Sequence, residues 1–524
     1  MSDIQKFYKT VLSQKGFYIP VLFFAIVAYS FSIYNRTVGW DDLLKDFYIG
    51  SGHAMLSNGR WGMVVWAYIM GITSFDPFID RFIALVLIIA AGILLSYILY
   101  TIDKSRNIFA YSILVSTFIT FPLINEIWEY TGANFNVAAG LCLVSMACLV
   151  LRSKWTILKK IIVAALLLVL PISSYESTIF YYVTLVCIII FYRNVLDLSR
   201  YSFRLWIYDL VFFFIPVLIA FAVRQFVTYV IRGVMGIDYI YAGATNIYWF
   251  TSNFGDTLKA TISSNVFYYV LNALVYLPIT IFCIAFTLFF IYLIVKKQMK
   301  LVLLGVAVVV SVFLLAIVQG GAMPYRTAQT VTIFVSFVVY LFVTHNYSRA
   351  KVKLFVYILA IGLCWYQAVF LNRILCLNNL RSDNEASVIH QIGIRLTSEF
   401  EKKPVVFVSP YKISRWISRQ ITVDESTWNG RLFCKICAGT SIIMPYKFVG
   451  TNINCATEEY HQIQELFSYY GYDINVIMNP FTNRQEHEKA VEIAEHLELK
   501  PYQIYDVGDY LIVNLGGVSF LNSY

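Results

Sequence analysis

Residues 161–192 read IIVAALLLVLPISSYESTIFYYVTLVCIIIFY. How often this stretch crosses a bilayer decides the fold. As one helix it would be about 48 Å long at about 1.5 Å per residue, against a hydrocarbon core of about 30 Å. Its polar residues gather at Pro171-Ile172-Ser173-Ser174-Tyr175-Glu176-Ser177. The reading is therefore two short spans, 161–172 and 177–192, joined by a tight turn at Pro171–Ser177. A single span would also carry Arg193, Arg200 and Arg204 away from the other basic loops, against the positive-inside rule.

Outward from this pair, further apolar runs lie near 18–34, 82–102, 108–125, 134–151, 207–231, 265–295, 301–318, 327–344 and 354–371. With the first two they make eleven predicted crossings. Residues 61–75 are apolar but short. They are read as an interfacial or re-entrant helix, with Trp61 and Trp66 at headgroup level. On this reading one side holds the tail 1–17 and loops 103–107, 152–160, 193–204, 296–300 and 349–353. Those 53 residues contain 18 Lys+Arg, whereas the 100 residues of the opposite loops (35–81, 126–133, 173–176, 232–264 and 319–326) contain 7. The contrast predicts a cytoplasmic tail 1–17, a transmembrane domain 18–371 and an extracytoplasmic domain 372–524 in a multi-pass protein of the cell membrane. The first apolar run has no small-residue cleavage site after it and reads as a retained anchor.

Composition agrees. Hydrophobic types make up 59% of the 524 residues and charged types 14%, with a mean hydropathy of +0.67. That is too little charge to coat several soluble domains, which excludes disorder, nucleic-acid binding and a cytosolic enzyme. The chain's net charge of +9 divides into +12 over residues 1–371 and −3 over residues 372–524, so the basic excess belongs to the membrane part, where it orients helices. Of the nine Cys, Cys142, Cys148, Cys187, Cys283 and Cys364 lie in apolar runs and read as small packing residues.

The polar groups of the predicted outer face carry the chemistry. The first outer segment contains Trp40-Asp41-Asp42-Leu43, then Gly52-His53, then Asn58-Gly59-Arg60-Trp61. Adjacent carboxylates repel, which raises one pKa and poises a base; the competing reading is a solvated helix cap. Glu126 and Glu129 follow the third span, Glu176 sits in the tight turn, and Arg326 opens the tenth span. Ionisable groups at membrane depth are costly and face a cavity or a partner. A purely structural Glu176–Arg pair is the competing reading there. Arg224, inside the seventh span, is either paired in the bundle or snorkels to its end.

The string Trp40-Asp41-Asp42…Gly52…Asn58-Gly59-Arg60-Trp61 resembles the first outer loop of the GtrII-type glucosyltransferase family. Phe121-Pro122…Glu126…Tyr130…Asn134 is similar to its next outer turn. Where such proteins usually have Tyr-Gln, this chain has Tyr175-Glu176. Trp365-Tyr366-Gln367 through Lys403-Pro404-Val405 is similar to the start of the family's outer domain. The resemblance implies a GT-C type glycosyltransferase. It would move glucose or a related hexose from a polyprenyl-phosphate carrier to an envelope glycan such as O-antigen or teichoic acid.

The residues support such chemistry independently. A carrier phosphate needs cations, and Arg60, Arg326 and His53 are the outer candidates. An acceptor hydroxyl needs a base, for which Asp41 and Asp42 are nearly equal candidates. Glu126, Glu129 and Glu176 are candidates for binding substrate. No spacing demands a cofactor, although a carboxylate set of Asp41, Asp42 and Glu126 would suit Mg²⁺ or Mn²⁺. The rival from another class is a transporter or flippase of a lipid-linked saccharide, but no internal repeat is visible and the polar groups sit at span ends. A scaffold binding envelope components is a third reading.

From about residue 372 the chain reads as a small soluble α/β domain: a helix at 385–402, a strand at Pro404–Ser409, helices at Glu458–Tyr470 and Arg484–Leu499, and a hairpin of Tyr502–Val507 and Tyr510–Leu515 around Gly508-Asp509. Cys434-Lys435-Ile436-Cys437 alone does not fill a tetrahedral zinc site. With Cys455 it leaves two readings open, a disulfide to Cys434 or Cys437, or packing thiols. His487 and His496 share a charged helix face.

Overall fold

The computed structural model of the chain describes residues 3–35, 53–57, 59–71, 77–122, 128, 134–197, 203–236, 249, 253–265, 277–321, 327, 329–345, 347–398, 400, 403–408, 464, 467–475, 484–500 and 502–514. Its helices in chain order are α1 (Asp3–Phe7), α2 (Lys15–Tyr34), α3 (His53–Ser57), α4 (Trp61–Met70), α5 (Pro77–Asp103), α6 (Ile108–Ile119), α7 (Asn134–Leu151), α8 (Ile157–Ser174), α9 (Thr178–Leu196), α10 (Phe203–Met235), α11 (Phe254–Asn265), α12 (Leu277–Val295), α13 (Met299–Val312), α14 (Leu314–Gln319), α15 (Gln329–Thr344), α16 (Ala350–Ser398) and α17 (Arg484–His496). The strands are β1 (Val405–Val408), β2 (Ile504–Asp506) and β3 (Leu511–Asn514). The chain divides into two units; of the described residues, those up to Leu375 belong to the first and those from Cys376 on to the second.

In the first unit, α8 and α9 are the two helices predicted from 161–192. The break lies later than expected, however. Pro171 stays inside α8, and the helix runs on to Ser174. Proline withholds one N–H without forbidding a further turn. The Ser173 and Ser174 hydroxyls donate back to the Leu170 carbonyl at 3.0 and 2.8 Å, and Tyr175 then turns extended at φ −152°. The side chains of Pro171 to Ser174 are buried, so the kink-prone end of α8 is held by packing rather than left as a loop.

Among the described residues, seven helices are long and apolar enough to cross a membrane: Lys15–Tyr34, Phe78–Asp103, Asn134–Leu151, Ile157–Ser174, Thr178–Leu196, Leu205–Met235 and Ala350–Cys376. The other four predicted crossings fall on the shorter apolar helices Ile108–Ile119, Phe286–Val295, Met299–Val312 and Gln329–Thr344. The 301–318 run is interrupted at Phe313. Trp61–Met70 is a ten-residue helix, about 15 Å long and too short to cross. Helix α5 packs on α7, α7 on α8, α8 on α10, α9 on α13 and α15, and α15 on α6. Large apolar residues remain exposed around the bundle, among them Leu166, Phe226 and Leu354, as a lipid-facing surface requires.

One polar clamp ties four of these helices together. Asp103, at the end of α5, accepts hydrogen bonds from Tyr111 of α6 at 2.8 Å, Tyr192 of α9 at 2.7 Å and Tyr340 of α15 at 2.5 Å. Sequence reading had placed Asp103 in a basic loop. The three phenols satisfy a carboxylate that would otherwise be costly near the bundle interior.

In the second unit β3 lies between β1, parallel to it, and β2, antiparallel to it. Helix α17 buries Ala490 and Ala494 against Val406, Val408 and Ile512. The strand at 404–409 and the hairpin about Gly508 are thus found where predicted. The helix expected at 385–402 is instead the continuation of the last predicted span, in one run of 49 residues. No Gly or Pro between Leu371 and Ser398 interrupts it apart from Gly393. The described part of 458–470 includes helical residues up to Tyr469 and ends at Gly471, φ +87°. His496 is exposed, while the His487 side chain and Cys434, Cys437 and Cys455 lie outside the described residues.

Candidate active site

The turn between α8 and α9 gathers charge. Tyr175-Glu176-Ser177 is closed by Thr178, whose N–H and hydroxyl both donate to the Tyr175 carbonyl at 3.1 and 2.8 Å. This fixes Glu176 at one end of the bundle. Its Oε1 accepts from Arg224 Nη2 at 2.5 Å, and its Oε2 lies 3.5 Å from Arg60 Nε. Of the two readings open for Arg224, pairing within the bundle is the one observed.

Arg60 reaches this point through its local backbone. Helix α3 ends at Gly59 in the left-handed region, φ +70°, with Gly59 N–H donating to Leu56 O at 3.0 Å and Arg60 N–H to Met55 O at 2.8 Å. A Cβ at Gly59 would also lie 3.3 Å from the Thr228 methyl and 3.5 Å from Arg224 Nη2. Glycine is required there both for its φ and for the close approach of α10. Just beyond, Gly62 lets α4 settle on the end of α8; a Cβ would lie 2.8 Å from the Leu170 carbonyl. Arg60 also sits over the Tyr175 ring at 5.4 Å.

Helix α10 presents Arg224, Thr228 and Arg232 at i, i+4 and i+8, one face of a helix. Thr228 donates to the Arg224 carbonyl at 2.8 Å, and Arg232 Nη2 to Ser57 O at 3.4 Å. Two guanidiniums therefore share one carboxylate, whose side chain is 34% exposed against 10% for Arg224. Among the described residues, Nε of Arg224 and the indole N–H of Trp61 and Trp66 make no hydrogen bond, while Arg60 Nε is held only by its 3.5 Å ion pair with Glu176. Two guanidiniums on one carboxylate leave a net positive charge that suits an oxyanion.

Of the predicted site residues, the structure brings Arg60 and Glu176 together. His53 opens α3, but its side chain lies outside the described residues, as do Asp41, Asp42, Glu126, Glu129 and Arg326. Among the described residues no group of three His, Cys, Asp or Glu could hold a metal ion. Sequence reading did not name Arg224 as a site residue. The i, i+4, i+8 spacing of Arg224, Thr228 and Arg232 on a single apolar helix was the signal available. At the same end of the bundle, Arg81 is 1% exposed and donates to the Ser32 and Asn35 carbonyls at 2.8 and 2.9 Å. It pins the end of α2 at Asn35.

No curated protein and no solved structure matches the chain. A family profile described as Glucosyl transferase GtrII matches residues 30–346. That range covers more than half of the chain and takes in Arg60, Glu176 and Arg224 alike. The chain belongs to the GtrII glucosyl transferase family, and is by that membership a membrane glucosyltransferase.

Proposed function

We propose that this protein transfers glucose or a related hexose from a polyprenyl-phosphate carrier to an envelope glycan at the extracytoplasmic face of the cell membrane. The observation that carries the proposal is the convergence of Arg60 and Arg224 on Glu176. A carrier phosphodiester bears one negative charge, and its loss of the sugar leaves a monoester with more. Guanidiniums bind the product charge more strongly than the substrate charge, which lowers the barrier. Arg326 and His53 are further candidates for the same phosphate.

Asp41 or Asp42 takes the proton of the acceptor hydroxyl. The acceptor oxygen bonds to the anomeric carbon as the carbon–phosphate oxygen bond breaks, and the electron pair leaves with the carrier. Glu126 and Glu129 orient the acceptor. The base alone suffices for a single displacement, and Mg²⁺ or Mn²⁺ bound by Asp41, Asp42 and Glu126 would assist it. Residues 372–524 form an extracytoplasmic α/β domain in this reading, and eleven crossings place both it and the acidic loop outside.

The test is transfer of labelled glucose from polyprenyl-phosphate glucose by the purified full-length protein, with and without chelator. Asp41→Asn or Asp42→Asn should abolish transfer in a folded protein. Full activity in both variants removes the base assignment. Activity unaffected by Arg60→Ala and Arg224→Ala removes the phosphate site.

A further inference from the structure

A second basic site lies at the opposite end of α8 and α9 from Glu176. Helix α8 is 18 residues long, so the two ends are about 27 Å apart. Here a cavity of about 470 Å³ is lined by Arg152, Lys160, Arg193 and Asp209, with Tyr208 and Phe212 among its apolar walls. It is built from the end of α7, the start of α8, the end of α9 and the first turns of α10. Arg152 donates to the Ile98 carbonyl at 3.3 Å, and Arg193 Nη1 lies 3.4 Å from Asp209 Oδ2. Lys160 has no ion-pair partner among the described residues. The lining thus includes three cationic side chains and one carboxylate, and that carboxylate is engaged by Arg193.

The flanks of the cavity are apolar and exposed: Ile157 and Tyr208 are each 56% accessible, and Val211 is 54% accessible. On a bundle surface such residues meet acyl chains. A basic pocket between helix ends with a greasy rim has the chemistry of a lipid-headgroup site, and its volume falls within the range of small-molecule sites. We infer that this cavity binds the phosphate of an anionic membrane lipid, with Lys160 and Arg152 as its cations and the chains lying along Ile157, Tyr208 and Val211. The inference does not depend on the sugar-transfer reading, and it is tested by binding rather than turnover.

The experiment follows the unfolding midpoint of the purified full-length protein in neutral detergent, titrated with short-chain phosphatidylglycerol, short-chain phosphatidylcholine or inorganic phosphate. Phosphatidylglycerol should raise the midpoint saturably, phosphatidylcholine should not, and phosphate should act far more weakly. Lys160→Gln should weaken phosphatidylglycerol binding about fivefold, and Lys160→Arg should restore it. Lys159→Gln should leave binding unchanged, because Lys159 lies outside the cavity over the Trp155 ring at 4.5 Å. Equal shifts with both phospholipids, or equal action by phosphate alone, overturn the inference. Equal losses in the Lys159 and Lys160 variants also overturn it, as they would mark diffuse surface charge. The wild-type titrations decide the matter even if a variant does not fold.

Discussion

Glu176 holds two arginines that would otherwise repel. Replacing it by Gln keeps the shape and removes the charge, leaving Arg60 and Arg224 partly buried without compensation. Because Glu176 is partly exposed, the expected cost is near the lower part of the about 1–3 kcal/mol range for an unsatisfied buried partner. Thermal unfolding of Glu176→Gln beside wild type measures it. Arg224→Lys is not conservative at this point, since ammonium offers a point charge where a planar fork is used. It should lower transfer by at least about tenfold while the protein stays folded; equal turnover would assign Arg224 to packing alone. Asp103 gives a parallel case at the far end of the bundle. Tyr192→Phe and Tyr340→Phe each delete a donor to a carboxylate, for an expected loss of about 1.5–3 kcal/mol. Their double variant should fall short of the sum, because both phenols bond the same oxygen.

Among elements, α4 depends most on a single small residue. Gly62→Val would drive a branched side chain into the Ser173 and Ser174 hydroxyls and the Leu170 carbonyl. The backbone carbonyl cannot move aside, so α4 should lift from α8 and carry Arg60 with it. Transfer should then fall with unfolding little changed, which distinguishes a displaced element from global collapse. The β2–β3 hairpin carries a pH prediction. Lys403 Nζ donates to both Asp506 oxygens at 2.9 and 2.7 Å, and Gly508 N–H donates at 2.8 Å. These bonds hold the Asp506 carboxyl below its usual range. A lowered carboxyl stabilises the fold above its unfolded value of about 4 and loses that contribution as pH falls through the folded value. The difference in unfolding midpoint between wild type and Asp506→Asn should therefore persist from neutrality to about pH 4 and fade below it. Helix positions and this hairpin were legible in the sequence because apolar period and turn residues are local signals. The late end of α8, the fused α16, the Asp103 clamp and Arg224 as the partner of Glu176 were not. Each depends on which residues meet across distant chain segments, and hydropathy carries no such information. Of the candidate site, Arg60 and Glu176 were readable because charge at span ends needs a reason to be there.

For the whole molecule, orientation decides the proposed chemistry. A phosphatase reporter active only outside the cytoplasm should be active when fused after Gly255 and inactive when fused after Lys300. The reverse result would put residues 35–60 inside the cell and remove the proposed carrier chemistry. The uninterrupted α16 bears on any attempt to dissect the protein. Its last turns are already part of the second unit: His390 Nδ1 lies 2.9 Å from the Tyr472 hydroxyl, Arg395 Nη1 donates to the Tyr502 carbonyl, and Gly393 lies flat beneath the Tyr472 ring. There is no seam at Lys403 where scissors could pass. A fragment excised there would lose the post against which its own tyrosines rest, so a faithful excision has to begin within the helix, upstream of Val388.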